Sequence, residues 1–393
     1  MLKVLAIGSK NQDESKIKGL NCFKTITLDW HSSFRVGFSY NYDAVLVFNE
    51  WKPSNSIFIH KLKNLKIPVM YLVDGIIDWN YLHHNWSYIK PQGTFLQPLV
   101  SDFVGVIGND QRNILSSFVP LSKIEVVGMP RLDKFKVKSN HRPHLTGDVL
   151  IVTPSTPYLN NESKVQVSFA LKCLKDFLFK TNRVVEWRIR GDLASELDVQ
   201  SNLKTSLKNQ INRNKCVISF SSTVIIESML LGKPTGLIDF SNNPNLIQTP
   251  WLIKGKENLS DFFNSILNPS KEHLSYQETC LNRLLYRGKS CKKLINTLYQ
   301  ISKNPPPYIL EEKFLFDQYN IEPRKNLDFD QNDLRAYILD AYSKQNDLNV
   351  KTLQILMTRI NEFTNDTRHY KEISKQHIHS FLKRIHDFVD FYK

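Results

Sequence analysis

The chain has 393 residues, 41% hydrophobic and 23% charged, an ordinary globular composition without low-complexity segments or internal repeats. No apolar run approaches the roughly 20 residues of a spanning helix, which excludes that class of membrane protein. The formal charge of +14 is uneven: residues 1–142 and 143–300 each carry an excess of seven cations, and residues 301–393 carry none. A basic body suits a phosphate-rich ligand, an anionic membrane surface or nucleic acid, or is simply a Lys-rich exterior. Five scattered cysteines (22, 173, 216, 280, 291) without a CxxC spacing fit a reducing, cytoplasmic setting and argue against a zinc site.

The opening MLKVLAIGSK runs from a short apolar core into Gly-Ser-Lys without a small-residue cleavage site. It reads as a first strand and not as a signal peptide. The strand candidates that follow are AVLVFN (44–49), VMYLVD (69–74), FVGVIG (103–108) and IEVVG (124–128). Each is rich in Val and Ile and ends near Gly, Asp or Asn. Apolar runs separated by helical lengths predict a parallel sheet covered on both faces. The polar stretch KVKSNHRPHLTGD (136–148) is a linker signature.

A second series follows: VLIVTPS (149–155), EWRIRG (186–191), CVISFS (216–221) and PTGLIDF (234–240). Between its first two members, Val167, Ala170, Leu171, Leu174 and Leu178 share one face of a predicted helix over 163–181. The prediction is therefore α/β: two facing Rossmann-like units, 1–142 and 143–302, and a helical extension over 303–393. KNPPPYI (303–309) ends the body, because three consecutive prolines belong neither to a helix nor to a central strand. In the tail, Ile378, Phe381, Leu382, Ile385, Phe388, Val389 and Tyr392 form the clearest of three apolar stripes. They pack on each other or on the body, or supply a homodimer surface or a peripheral membrane contact; the tail's zero net charge weakens the last.

Ligands of open parallel sheets bind beyond the carboxyl ends of the strands, so a cleft between the two units is the expected site. Gly8 and Ser9 end the first strand and should line it, although the glycines are too sparse for a dinucleotide fingerprint. Asp74 ends another strand beside Gly75, which permits a tight turn. SSTVIIESMLLGKP (221–234) places Ser221, Ser222 and Thr223 at a strand-to-helix turn. Backbone N–H groups and short hydroxyls there suit a phosphate or diphosphate; an ordinary helix cap accounts for one hydroxyl. Glu227, one turn on, is expected near the same face, where a carboxylate can accept both hydroxyls of a ribose. A solvent-facing Glu in a first helical turn is the alternative, and its apolar neighbours argue against it.

The pattern S-x-S-S-T-x-x-x-E-x-x-x-x-G-K-P over 219–234 resembles the donor-binding segment of GT-B-fold glycosyltransferases that build bacterial surface polysaccharides. VVGMPRLD (126–133) resembles the G-x-P-R-x-D segment of the CDP-glycerol glycerophosphotransferase and capsule sugar transferase group, and YLVDGIIDW (71–79) is similar to its Asp-Gly stretch. The resemblance runs from about residue 70 to 240 in motifs, and to about 300 in organisation. It implies inverting transfer of a sugar or alditol phosphate from a nucleotide-activated donor to a glycan or lipid-linked glycan acceptor, with no cofactor beyond the nucleotide-sugar co-substrate, and no essential metal is predicted. One departure stands out: EWRIRGD (186–192) carries Arg188 and Arg190 where related CMP-sugar enzymes have His-Pro. Either arginine can pair with a diphosphate.

The roles this implies are a base for the acceptor hydroxyl and stabilisation of the departing phosphate. Asp74 is the expected base, with His83 and His84 as alternatives in an aromatic loop. Arg188, Arg190, Ser221, Ser222, Thr223 and Glu227 are expected on the donor. Arg131 and Asp133 are expected to form an ion pair at the hinge between units. The rivals are a UDP-sugar 2-epimerase, which needs several acids and a histidine around the sugar, an inactive homologue, and a nucleic-acid-binding protein, for which no motif speaks.

Overall fold

The computed structural model describes residues 1–20, 23–31, 40–50, 53–79, 82, 96, 99–133, 135, 145–158, 161–241 and 243–305. The first unit opens with β1 (Leu2–Ile7), α1 (Lys10–Asp13), β2 (Ile26–His31), β3 (Ala44–Val47) and α2 (Pro53–Asn64). It continues through β4 (Val69–Leu72), β5 (Phe103–Val106), α3 (Asn109–Leu115) and β6 (Ile124–Val126). The second begins with β7 (Gly147–Val152), α4 (Asn161–Lys180), β8 (Val185–Arg188), α5 (Gly191–Leu197) and α6 (Leu207–Arg213). It then runs through β9 (Asn214–Ser219), α7 (Val224–Leu230), β10 (Thr235–Ile238), β11 (Trp251–Ile253), α8 (Leu259–Leu267), α9 (Lys271–Leu284) and α10 (Ser290–Lys303).

Every strand pairing in both sheets is parallel. The first sheet has the order β2-β1-β3-β4-β5-β6 and the second β11-β10-β9-β7-β8. Counted within its own unit, each runs second-first-third-fourth-fifth, with a sixth strand added at the end of the first sheet, so the two units repeat one doubly wound topology. Side-chain alternation along β1 explains why both faces must be covered. Leu5 and Ile7 join Val45, Val47 and Val69 beneath Phe58, Ile59 and Leu62 of α2. Val4 and Ala6 point the other way, into a cluster with Leu46 and Met70. In the second unit the predicted stripe of α4, Val167, Ala170, Leu171, Leu174 and Leu178, is the set that the helix buries.

Two strands escaped the sequence reading, and both are edges. ITLDWH of β2 is only partly buried, so it lacks a continuous apolar run. WLI of β11 is three residues long. The helix α10 follows the second unit in the chain and lies within the span read as that unit. Its Leu294, Ile295, Leu298 and Ile301 nevertheless pack with Leu2, Val4 and Ala6 on the first sheet. An apolar stripe shows that a helix has a buried face, but not which sheet receives it. The tail beyond residue 305 and most of the linker lie outside the described residues. Among the described residues, no helix is long and apolar enough to cross a membrane.

The units also share a core. Ile107, Met129 and Leu132 of the first pack with Ile225, Ile226 and Met229 of α7 and with Leu281, Leu284 and Leu285. At Gly108 the backbones nearly touch: a Cβ there would lie 2.3 Å from the Leu284 carbonyl oxygen. Only glycine fits this approach.

Candidate active site

A parallel sheet opens a crevice where the strands on either side of one strand leave in opposite directions. In the first unit that point lies between β1 and β3, and in the second between β7 and β9. The loops leaving all four strands, at Gly8–Ser9, Phe48–Asn49, Pro154–Thr156 and Ser221–Thr223, line one cleft of about 630 Å³. A second lobe of about 340 Å³ lies under the second unit, lined by Tyr158, Phe220, Phe240, Leu246 and Ile247. Asp78, Pro154, Thr156 and Ser221 border both lobes.

The three hydroxyls of the serine-threonine turn divide the work. Ser222, the residue before the N-cap Thr223, accepts the Val224 N–H on its Oγ at 3.3 Å and so satisfies the first donor of α7. Thr223 lies where the units meet: a Cβ added to Gly75 would sit 3.2 Å from its Cγ2. Ser221 Oγ is shielded from water and has no hydrogen-bond partner among the described residues. An orphaned hydroxyl costs stability unless a ligand satisfies it. Further along, Lys233 of the Gly-Lys-Pro segment donates to the carbonyls of Asn212 (2.8 Å) and Asn214 (2.7 Å), tying α7 to the start of β9.

The first-unit lobe gathers charges. Asp74 Oδ2 lies 3.3 Å from Lys16 Nζ, and the same nitrogen lies 3.1 Å from Asp13 Oδ1. The other oxygen of Asp13 accepts the Ser9 N–H at 2.9 Å. This carboxylate fills the space beside Gly8, where a Cβ would come within 2.4 Å of it. Asp74 is 38% exposed, open enough to meet a ligand. Its position is fixed through Gly75, whose carbonyl accepts from Gln111 Nε2 at 2.6 Å while Gln111 Oε1 accepts the Ile107 N–H at 3.1 Å.

Four expected residues are placed elsewhere. Glu227 is buried and accepts from Arg131 Nη1 at 3.0 Å, a contact between the units. It does not border the cleft, because α7 turns this face toward the first unit. Burial pushes its carboxyl above the usual range, and Arg131, then Arg188, pull it back. The expected Arg131–Asp133 pair does not form. Asp133 instead accepts the Ser290 and Cys291 N–H groups, both at 2.8 Å, at the start of α10. That arrangement satisfies orphan helix donors with a charge of the favourable sign. Arg188 Nη1 donates to the carbonyl of Thr205 (2.9 Å) and to Gln210 Oε1 (2.7 Å), inside a network that includes Glu186. Arg190 lines neither lobe; it lies 3.0 Å from Asp192 and 5.0 Å over the ring of Tyr158, which lines the second lobe. His83 and His84 lie outside the described residues.

The sequence reading missed Asp13 and Lys16, the loop 154–158 and the loop 239–247. Both loops follow parallel strands and carry Pro, a signal that strand-end reasoning could have used. Nothing in KNQDESK (10–16) marks its charges as cleft residues. Among the described residues, no group of three or more His, Cys, Asp or Glu could hold a metal ion.

No family model matches the sequence. No curated protein matches it either. Solved structures do. The UDP-GlcNAc 2-epimerase of Methanocaldococcus jannaschii, in complex with UDP-GlcNAc and UDP, is 13% identical at a TM-score of 0.52, over 76% of this chain and 100% of that one. The S. aureus MnaA–UDP structure is 11% identical at 0.52, over 78% and 99%. A UDP-N-acetylglucosamine 2-epimerase structure from Listeria monocytogenes is 13% identical at 0.51, over 79% and 100%. At these identities the likeness is one of fold. With two parallel doubly wound sheets opening on a shared cleft, the chain has the α/β two-domain GT-B fold.

Proposed function

We propose that the chain transfers a sugar from a nucleotide-activated donor to a glycan hydroxyl held in the first-unit lobe. The observation that carries this reading is Ser221 Oγ, buried and unpaired at the border of both lobes. The aromatic side chains of the second lobe, Tyr158, Phe220 and Phe240, suit a nucleobase, and its polar groups can read the base edge. The phosphates then meet the serine-threonine turn, where rotation of Ser221 about χ1 carries its hydroxyl out of the shielded position to donate to a phosphate oxygen. Two of the structures that share the fold hold UDP, which supports a nucleotide in this lobe.

Asp74 accepts the proton of the acceptor hydroxyl as its oxygen attacks the donor carbon. The bond from that carbon to the phosphate oxygen breaks, and the nucleotide leaves with the electron pair. Lys16 orients Asp74 from the first-unit side. Gly75 keeps that side close to Thr223. The reaction needs the two units together, because the base and the phosphate site come from different sheets.

A second reading has support of its own. Asp13, Asp74 and Asp78 all border the first-unit lobe, which gives it several of the acids that a 2-epimerase needs, but no histidine lines it among the described residues. Thermal unfolding with CMP, CDP, UDP, GDP and their sugar conjugates tests both readings. A nucleotide at about 100 times its Kd adds roughly 2.7 kcal/mol. A shift with one base that Ser221→Ala abolishes supports the nucleotide site. A donor sugar epimerised without any acceptor would replace transfer by epimerisation, and no shift with any nucleotide would refute both.

A further inference from the structure

The chain carries a formal charge of +14, yet Lys16 is the one cation among the described residues bordering either lobe. It is already engaged, 3.1 Å from Asp13 and 3.3 Å from Asp74. With two carboxylates on one ammonium, the trio has a negative formal charge. Lys16 cannot meet a third anion without giving up one of its partners. The same lobe is lined by the amides of Gln12, Asn49 and Asn55 and by a third carboxylate, Asp78. Carboxylates and amides are good partners for sugar hydroxyls and poor ones for phosphate.

We infer that the first-unit lobe selects an uncharged glycan acceptor, with Asp13 and Lys16 as the residues that set the preference. The inference rests on the transferase reading above. A phosphate or carboxylate beside the reacting hydroxyl would lie near both aspartates. Repulsion between like charges is strong in a partly enclosed cleft, where solvent screens weakly. The basic exterior suits a phosphate-bearing carrier; the lining around Asp13 and Asp74, apart from the serine-threonine turn that takes the donor phosphates, does not. The two statements are compatible, because the exterior sets encounter while the lining sets which group reaches Asp74.

Methyl glucoside and methyl glucuronide differ only in the carboxylate at C6. Their affinities are read by ligand-observed NMR on the full chain, with and without nucleotide. The glucuronide is expected to bind at least about tenfold more weakly, with the gap narrowing as salt rises. Asp13→Asn should narrow the ratio and Lys16→Met should widen it. Loss of local structure would not move the two variants in opposite directions. Equal or tighter binding of the glucuronide, or binding of neither glycoside in the millimolar range, overturns the inference. So does a ratio that neither variant moves. The nucleotide-induced melting shift is read on the same samples. A shift accompanied by the wrong glycoside preference refutes the acceptor class alone, whereas the absence of any shift refutes the transferase reading itself.

Discussion

Arg131→Met removes the partner of a buried carboxylate and leaves its volume nearly intact. The Glu227 side chain is 9% exposed and that of Arg131 29%. Breaking a fully buried pair from one side costs about 3–5 kcal/mol. Arg131 is partly open to water, so water can enter the gap, and a loss of about 2–3 kcal/mol is expected. At roughly 2–4 °C per kcal/mol, the melting temperature falls by about 5–10 °C. The loss depends on pH with a definite sign. Glu227 is an acid whose carboxyl is raised by burial, so its contribution is fully present below its unfolded value and is lost as pH rises through the folded one. Arg131 opposes that rise. Without it the folded carboxyl moves higher still, so Arg131→Met is more damaging near neutral pH than in mild acid. The assay is thermal and urea unfolding of Arg131→Met, Glu227→Gln and the double variant at both conditions. Coupling of about 1–2 kcal/mol between the substitutions is expected. Additivity within about 0.5 kcal/mol, or a loss that pH does not change, would refute the idea that this pair holds the units together.

Other expectations concern the cleft and the second unit. Asp74→Asn should lower turnover by about 10²–10⁴ with nucleotide affinity unchanged, read by transfer from a labelled donor. Gly75→Val adds a side chain where a Cβ already lies 3.2 Å from Thr223, so it should hold the units apart. Turnover then falls while nucleotide-induced stabilisation survives, and small-angle scattering should detect a larger radius. Ser221→Ala should leave the ligand-free chain as stable as before, because the hydroxyl it removes has no partner, yet weaken nucleotide binding. Burial works against the Glu186 charge, but Arg213, Gln210 and Asn214 hold its carboxyl at about 2. Its stabilising contribution is therefore present above its ordinary value of 4.5 and is lost as pH falls toward about 2. Glu186→Ala should flatten the acid limb of the stability–pH curve.

Much of the architecture follows from local pattern. AVLV and VMYL are buried at every position, and such runs, spaced by helical lengths, have few outlets other than a covered parallel sheet. The α4 stripe was legible for the same reason, since burial of one helical face is written into residue spacing. Strand-end reasoning likewise brought Gly8, Ser9, Asp74, Gly75 and the hydroxyls of 221–223 to one cleft. Tertiary structure decided what pairs with what. Glu227 sits among apolar residues, and spacing alone aims it at a ribose; only the packing of α7 against the first unit puts Arg131 within 3.0 Å of it, from 96 positions away. Asp13 and Lys16 look like surface charges in KNQDESK, and become cleft residues because the loop after β1 folds back across Gly8. The helix α10 belongs by sequence position to the second unit, and only the assembled structure shows that its apolar face packs on the first sheet. Periodicity records the environment a residue needs, whereas the partner that supplies it across a long sequence separation is selected by the geometry of the assembled chain.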